Sequence, residues 1–156
     1  MAAAASTARP CAFCAIVAGD LDAPVVTETE HTVAFLDHSP LFRGHTLVVT
    51  RVHVETLRDL PDDLLTPFFT EVRRITAAVQ DGLGADGVFV AQNNVVSQSV
   101  PHLHVHVVPR RRKDGLRGFF WPRERYADDA EAQEYAARIR SALGRRGRAR
   151  EPDQTC

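Results

Sequence analysis

The 156-residue sequence lacks the features that mark several classes of protein. It has no apolar run of the roughly 18 residues that a membrane-spanning helix needs, which argues against a membrane protein. Residues 1–8 have neither a basic start nor an apolar stretch long enough for a signal peptide, so we expect a cytoplasmic protein. The formal net charge is only −1, without the positive excess that nucleic-acid binding uses. Membranes and nucleic acids are therefore not predicted partners.

Cysteine is also scarce, because the chain has only three. An odd number without an export signal argues against a disulfide framework and favours reduced thiols or metal ligands. Cys11 and Cys14 have the spacing of a metal-ligand pair. The same spacing also occurs in thiol redox pairs and by coincidence, so the pair alone does not identify a site.

The order of the predicted elements favours one α+β domain with an antiparallel sheet, one long helix and one shorter helix. β-Branched and alternating runs predict strands at residues 25–27, 32–36, 45–50, 87–91 and 102–109. Apolar residues at helical spacing predict the long helix over 64–83 and the shorter one over 128–143.

Both ends of the chain lack apolar periodicity. Residues 1–10 and 144–156 are therefore predicted to be mobile tails, and the domain is predicted to span residues 11–143. An aromatic segment at 118–123 follows a basic run, and we expect it to pack on the sheet or to cap the site.

Three histidines on the last predicted strand are the most informative feature. His102, His104 and His106 alternate with apolar residues, so a strand would place all three imidazoles on one face. Mutual repulsion would hold at least one imidazole neutral near pH 7, as a nucleophile or a metal ligand requires. The alternative is the solvated polar face of an amphipathic strand.

This motif resembles the signature of the histidine triad (HIT) family, His-x-His-x-His followed by apolar residues. Similar landmarks stand in family order: residues 11–20, 34–37, 44–49, 98–100 and 109–110. The resemblance implies a HIT-like α+β fold, a homodimer and an enzyme. Its implied activity is hydrolysis or transfer at the α-phosphate of a purine nucleotide, either a nucleoside phosphoramidate or a dinucleoside polyphosphate.

The resemblance also implies roles for individual residues. His104 would attack phosphorus and carry the nucleotidyl group, and His106 would contact the phosphate and the departing group. Asp37 would accept hydrogen bonds from the ribose hydroxyls, because a carboxylate can accept from both members of a diol. Phe35, with Phe13, would form part of the base pocket.

The segment before the motif supplies the implied phosphate contacts. Gln98 and Ser99 would donate hydrogen bonds to phosphate oxygens. Here the sequence departs from the family, because the usual glycine-rich stretch is missing and the segment is shorter. Either Asn93 or Asn94 can supply the family's active-site asparagine, and we assign Asn94.

Several members of the family carry zinc on two cysteines and two histidines. By this resemblance, Cys11, Cys14, His53 and His102 would form a closed tetrahedral set, which is typical of a structural rather than a catalytic zinc. Unmetallated thiols are the alternative.

The implied dimer contact involves the helix at 64–83 and the strand at 87–91. Phe68 and Phe69 are adjacent on that helix, so they cannot both point to one core. One of them is expected to face a partner chain.

A second class of function stays open. The chain could be a nucleotide- or metal-binding module with the HIT fold and no covalent chemistry, or an interaction protein that keeps only the fold. The classes differ at His104, because a nucleophile must be free of metal.

Overall fold

The computed structural model describes residues 11–116 and 124–148. The chain divides into two compact units, residues 1–115 and 116–156. The predicted tail at 1–10 and the aromatic segment at 118–123 lie outside the described residues, and the domain boundary at 143 stays a prediction. No helix of the described part is long and apolar enough to cross a membrane.

Among the described residues, the first unit contains five strands and two α-helices, and the second contains one helix. In chain order they are α1 (Ala12–Ala18), β1 (Val25–Glu28), β2 (Thr32–Leu36), β3 (Thr46–Thr50), α2 (Asp62–Leu83), β4 (Gly87–Ala91), β5 (His104–Arg110) and α3 (Asp129–Arg148). A short 3-10 turn at Leu57–Asp59 precedes α2.

The strands form one sheet in the order β1-β2-β3-β5-β4, and every neighbouring pair is antiparallel. This confirms the predicted α+β class and the antiparallel sheet. β2 and β4 have the predicted bounds, whereas β5 begins at His104 rather than at His102. His102 therefore lies just before the strand.

Helix α2 covers one face of the sheet. Its buried residues repeat at helical spacing and pack against apolar side chains of the three central strands and of the residue just before β5, which are Ala34, Val48, Val105, Val107 and Leu103. Phe68 is fully buried, whereas Phe69 is 42% exposed. The two adjacent phenylalanines thus point in different directions, as predicted.

The opposite face of the sheet has its own apolar cluster, formed by Phe13 of α1 with Val33, Phe35, Leu47 and Val49. Both faces of β2 and β3 are therefore buried, which explains their uninterrupted apolar sequences. On β5 the apolar residues face α2, so the alternating histidines lie on the face with α1.

Helix α1 was not predicted. Its apolar residues Phe13, Ile16 and Val17 have helical spacing, and Gly19 ends it with a left-handed φ of 82°. Seven residues are too few for periodicity to distinguish a helix from a loop.

Helix α3, in the second unit, confirms the predicted shorter helix. The carboxylate of Asp128 accepts a hydrogen bond from the Glu131 amide at 2.9 Å and caps its start. It ends at Arg148, beyond the predicted end at Leu143.

Candidate active site

The three histidines of the motif lie side by side, on the sheet face that carries α1. His102 and His104 are buried, and His106 is partly buried. The ring centroids of His104 and His106 are 4.9 Å apart, and Phe13 stands edge-on to His104 at 5.1 Å. The predicted shared face is therefore present, although His102 precedes the strand.

The hydrogen bond of His104 determines its tautomer. Its Nδ1 lies 2.6 Å from the backbone carbonyl oxygen of His102. Because a carbonyl oxygen can only accept, Nδ1 must carry the proton in the neutral ring. The lone pair is then on Nε2.

His106 has the opposite arrangement because of His45. The Leu41 amide donates to Nδ1 of His45 at 3.2 Å, so His45 carries its proton on Nε2. That nitrogen lies 2.9 Å from Nδ1 of His106 and donates to it. The neutral His106 ring therefore has its own proton on Nε2.

Burial favours the neutral forms of His106 and His45. Desolvation, with the neighbouring His104 and His45, lowers the pKa of His106 to about 4, although Asp37 opposes the shift. Burial also lowers the pKa of His45, although Asp37, at 3.7 Å, acts in the opposite direction.

A cavity of about 390 Å³ opens beside His104 and His106. Its walls are mainly apolar side chains from α1, the α1–β1 connection, β2 and β3: Phe13, Ile16, Leu21, Phe35, Leu36 and Leu47. Its polar lining consists of Asp22, Asp37, His38, Ser99, His104 and His106. Such a mostly apolar cavity with a few converging polar groups is typical of a small-molecule site.

Most of the predicted catalytic and binding residues meet in this cavity. Phe35 and Asp37, from β2 and the loop after it, line it together with Ser99, His104 and His106. One oxygen of Asp37 accepts the Ser39 amide at 2.8 Å, which holds the carboxylate in place.

Asn94 and Gln98 do not line the cavity. The Asn94 side-chain oxygen accepts the Leu57 amide at 2.8 Å. Gln98 accepts the Val95 amide at 2.8 Å and donates to the Glu55 carbonyl at 2.6 Å. Both side chains therefore brace the loop that precedes Ser99.

The same loop is strained. Val95 and Ser97 have φ values of 70° and 60°, a left-handed conformation that is unfavourable for a β-branched valine in particular. The hydrogen bonds of the Asn94 and Gln98 side chains stabilise this conformation in a segment that contains no glycine.

The predicted metal ligands also come together. Nδ1 of His102 lies 3.4 Å from Sγ of Cys11 and 3.5 Å from Sγ of Cys14, and Nδ1 of His53 lies 3.3 Å from Cys14. A tetrahedral zinc would separate sulfur and nitrogen ligands by about 3.5 Å. Nε2 of His102 donates to the Thr50 carbonyl at 2.7 Å, which leaves Nδ1 as the ligating atom. The four residues therefore fit a zinc ion.

Comparison with known proteins identifies the family. A sequence model of the HIT domain matches residues 18–113. The chain belongs to the HIT family. The Bacillus subtilis protein called Protein hit is 36% identical over 141 residues, which cover 89% of this chain and 95% of that protein. The adenosine 5'-monophosphoramidase of Saccharomyces cerevisiae is 34% identical over 119 residues, covering 74% and 73% of the two chains.

Solved structures show the same HIT fold. A HIT family protein of Bacillus subtilis superposes with a TM-score of 0.77 at 34% identity, covering 85% of this chain and 96% of that one. A zinc-bound histidine triad protein of Mycobacterium smegmatis gives a TM-score of 0.65 at 36% identity, covering 85% and 97%. The predicted HIT-like fold is therefore confirmed.

One residue of this HIT site was missed from the sequence, namely His45. It immediately precedes β3 and is buried, and it orients the ring of His106. A single histidine at a strand end is usually only a polar surface residue. Its role follows from the register of β3 and β5, in which Leu47 lies opposite His106 and His45 is two residues before Leu47, and the sequence alone does not show that pairing.

Proposed function

We propose that the chain is a nucleotide hydrolase or transferase that acts at the α-phosphate of nucleoside phosphoramidates through His104. The observation that carries this proposal is the hydrogen bond from Nδ1 of His104 to the His102 carbonyl. It leaves the lone pair on Nε2, as a nucleophile requires, in a histidine that lines the cavity.

The reaction would take place in two displacements. First, Nε2 of His104 forms a bond to phosphorus while the phosphorus–nitrogen bond breaks, and the departing amine keeps the electron pair and takes a proton from water. A water molecule, or another acceptor hydroxyl, then bonds to phosphorus and releases its proton to the hydroxide that the first displacement leaves in solution. The histidine–phosphorus bond breaks and His104 is regenerated.

Neighbouring residues would bind the substrate. Nε2 of His106 would donate a hydrogen bond to the phosphoryl group, and the Ser99 hydroxyl would donate to a phosphate oxygen. Asp37 would accept from the ribose hydroxyls, and Phe35 would contact the base. Asn94 and Gln98 would act through the loop that they brace rather than by touching phosphate.

Two observations favour a phosphoramidate over a dinucleoside polyphosphate. Some relatives are named adenosine 5'-monophosphoramidases. The described lining of the cavity has two carboxylates, Asp22 and Asp37, and neither lysine nor arginine. Polyphosphate sites use such cations to balance several negative charges.

A zinc ion would occupy the set of Cys11, Cys14, His53 and His102. Four protein ligands make it structural, since no position is left open for a substrate. Burial, with a contribution from Cys11, raises the pKa of the Cys14 thiol, so metal binding must displace a proton. The zinc-bound Mycobacterium smegmatis relative supports this assignment.

The functional unit would be a homodimer. β4 is an edge strand of the sheet, and Val90 on it is 44% exposed. On α2, Leu65 and Phe69 are 39% and 42% exposed. A second copy that covers these residues would bury apolar surface and protect the strand edge.

A substrate panel tests the proposed activity. The wild-type chain and the His104→Ala variant are incubated with adenosine and guanosine 5'-phosphoramidates and with dinucleoside polyphosphates. We expect nucleoside monophosphate to form from the phosphoramidates and only with the wild-type protein. Nucleotide binding without turnover of any compound would instead support the binding-module alternative.

A further inference from the structure

The cavity extends across the sheet from β5 towards β1. His104 and His106 lie on β5, Leu47 on β3 and Phe35 on β2, and the lining continues to residues 22–24, just before β1. Three inter-strand spacings separate β5 from β1, or roughly 14 Å. That distance suits an extended purine nucleotide with its phosphate at the histidines and its base near residues 22–24.

Asp22 is the charged group at this far end of the cavity. Its carboxylate is exposed and makes no hydrogen bond or ion pair with any of the described residues. Asp37, the other carboxylate of the lining, is instead held by the Ser39 amide and lies near His45. Asp22 therefore has its full capacity to accept hydrogen bonds from a ligand.

The backbone around Asp22 is fixed on both sides. The amides of Asp20 and Leu21 donate to the Ala15 carbonyl at 2.8 and 3.2 Å, which ends α1. The Leu36 amide donates to the Pro24 carbonyl at 3.0 Å, which attaches the segment to β2. The position of Asp22 at the cavity wall is thus set by the fold.

We propose that the Asp22 carboxylate accepts hydrogen bonds from the base and makes the site prefer guanine over adenine. This inference rests on the proposed function. Guanine has two adjacent donors, N1–H and the N2 amino group, and one carboxylate can accept from both. Adenine has one amino group beside N1, an acceptor that would face the carboxylate. Because Asp22 is exposed, its carboxylate can stay hydrated beside adenine, so the preference comes from the second hydrogen bond that only guanine can add.

Equilibrium binding of GMP, IMP and AMP to the 156-residue chain tests the inference without turnover. In the wild type we expect GMP to bind about 5- to 20-fold more tightly than AMP, as a charged but exposed hydrogen-bond pair gives. IMP, which keeps N1–H but lacks the N2 amino group, should fall between them. In Asp22→Ala the GMP-to-AMP ratio should approach one.

Asp22→Asn is the sharper variant. An asparagine amide both donates and accepts, which complements the adenine amino group and its neighbouring acceptor. We therefore expect this variant to bind AMP at least as tightly as GMP. The matched control is Asp20→Asn, on the same fixed segment but not in the cavity lining, and it should keep the wild-type ratio.

The outcomes separate this inference from the proposed function. Equal affinities for GMP and AMP in the wild type, or a guanine preference that persists in Asp22→Ala, would overturn the role of Asp22 and leave the hydrolase proposal standing. If no mononucleotide binds, the proposed function fails, and the base preference fails with it.

Discussion

The ring of Phe13 stands edge-on to the ring of His104, with their centroids 5.1 Å apart and their planes at 83°. Phe13 also lies between Cys11 and Cys14 in the sequence, on helix α1. The segment that supplies two of the four proposed zinc ligands therefore also forms the wall against the proposed nucleophile. Loss of the metal is therefore expected to loosen the packing of Phe13 against His104 in the cavity.

For the metal, we expect about one zinc per chain in protein purified without chelator. Cys11→Ser should lose the metal and melt at a lower temperature, because binding free energy contributes to folding. Cys156→Ser is the matched control and should keep its zinc. Metal-free wild-type protein with unchanged stability would contradict the assignment.

For the nucleophile, we expect a nucleotide attached to His104 during turnover. Rapid denaturing quench at alkaline pH during turnover of a nucleoside phosphoramidate, followed by peptide mass mapping, should locate it there. His104→Ala should lose nearly all turnover and largely keep nucleotide binding, which depends on Asp37, Ser99 and the apolar walls. A nucleotide on His102 or His106, or undiminished activity of His104→Ala, would refute the mechanism.

For the effect of pH, stability should fall as the solution is acidified from about pH 6.5 towards pH 4. The pKa of His106 is lowered from 6.5 to about 4 in the folded chain, so the unfolded chain binds the proton first. The three groups that face it are His45, His104 and Asp37. Titration of His106 is expected to lower the free energy of unfolding by an amount on the order of 3 kcal/mol over this pH range.

Urea unfolding at several pH values measures this effect. The variant His106→Gln cannot titrate at this position and should lose less stability than the wild type between pH 7 and pH 4. Identical pH profiles for the two proteins would show that His106 does not cause the loss.

For the assembly, light scattering at micromolar concentration should give twice the chain mass of 17.2 kDa. Phe69→Glu should shift the protein towards monomer, because it places a charge on the exposed face of α2. Val26→Glu is the control, since Val26 is similarly exposed, at 48%, but lies on β1 at the other edge of the sheet. A wild-type chain that stays monomeric would rule out the dimer.

For the strained loop, replacing Val95 by glycine should be close to neutral or stabilising. Glycine adopts a φ of 70° without the steric cost that valine pays there. Val96→Gly is the matched control, because Val96 is just as exposed and does not have a positive φ. We expect their free energies of unfolding to differ by about 1–2 kcal/mol, and equal values would argue against strain at Val95.

The sequence predicted α2 from a long periodic pattern and the strands from short β-branched and apolar runs. The bounds of β2 and β4 agree with the structure, and α2 begins at Asp62, two residues before its first predicted residue. Helix α1 was missed because seven residues carry too little periodicity. Short elements depend on the tertiary contacts that cover them, and these are not visible in local sequence.

Those residues of the candidate site that belong to one sequence motif could be predicted. Alternation alone placed His104 and His106 on one face, and the structure agrees. His45 was missed because its role comes from the pairing of β3 with β5. The directions of the Asn94 and Gln98 side chains depend on backbone partners at Leu57 and Glu55, which are distant in sequence.

The alternating faces of strand β5 make the effect of a substitution differ from the effect of an insertion or deletion. Val105 and Val107 pack against α2, so another apolar residue of similar volume can replace either one at small cost. Inserting or deleting a single residue between His102 and Val108 is different, because it would turn every following side chain to the other face. Imidazoles would then enter the packed layer and valines would enter the cavity. This segment can therefore vary in composition on one face, but it does not tolerate a change in length by a single residue.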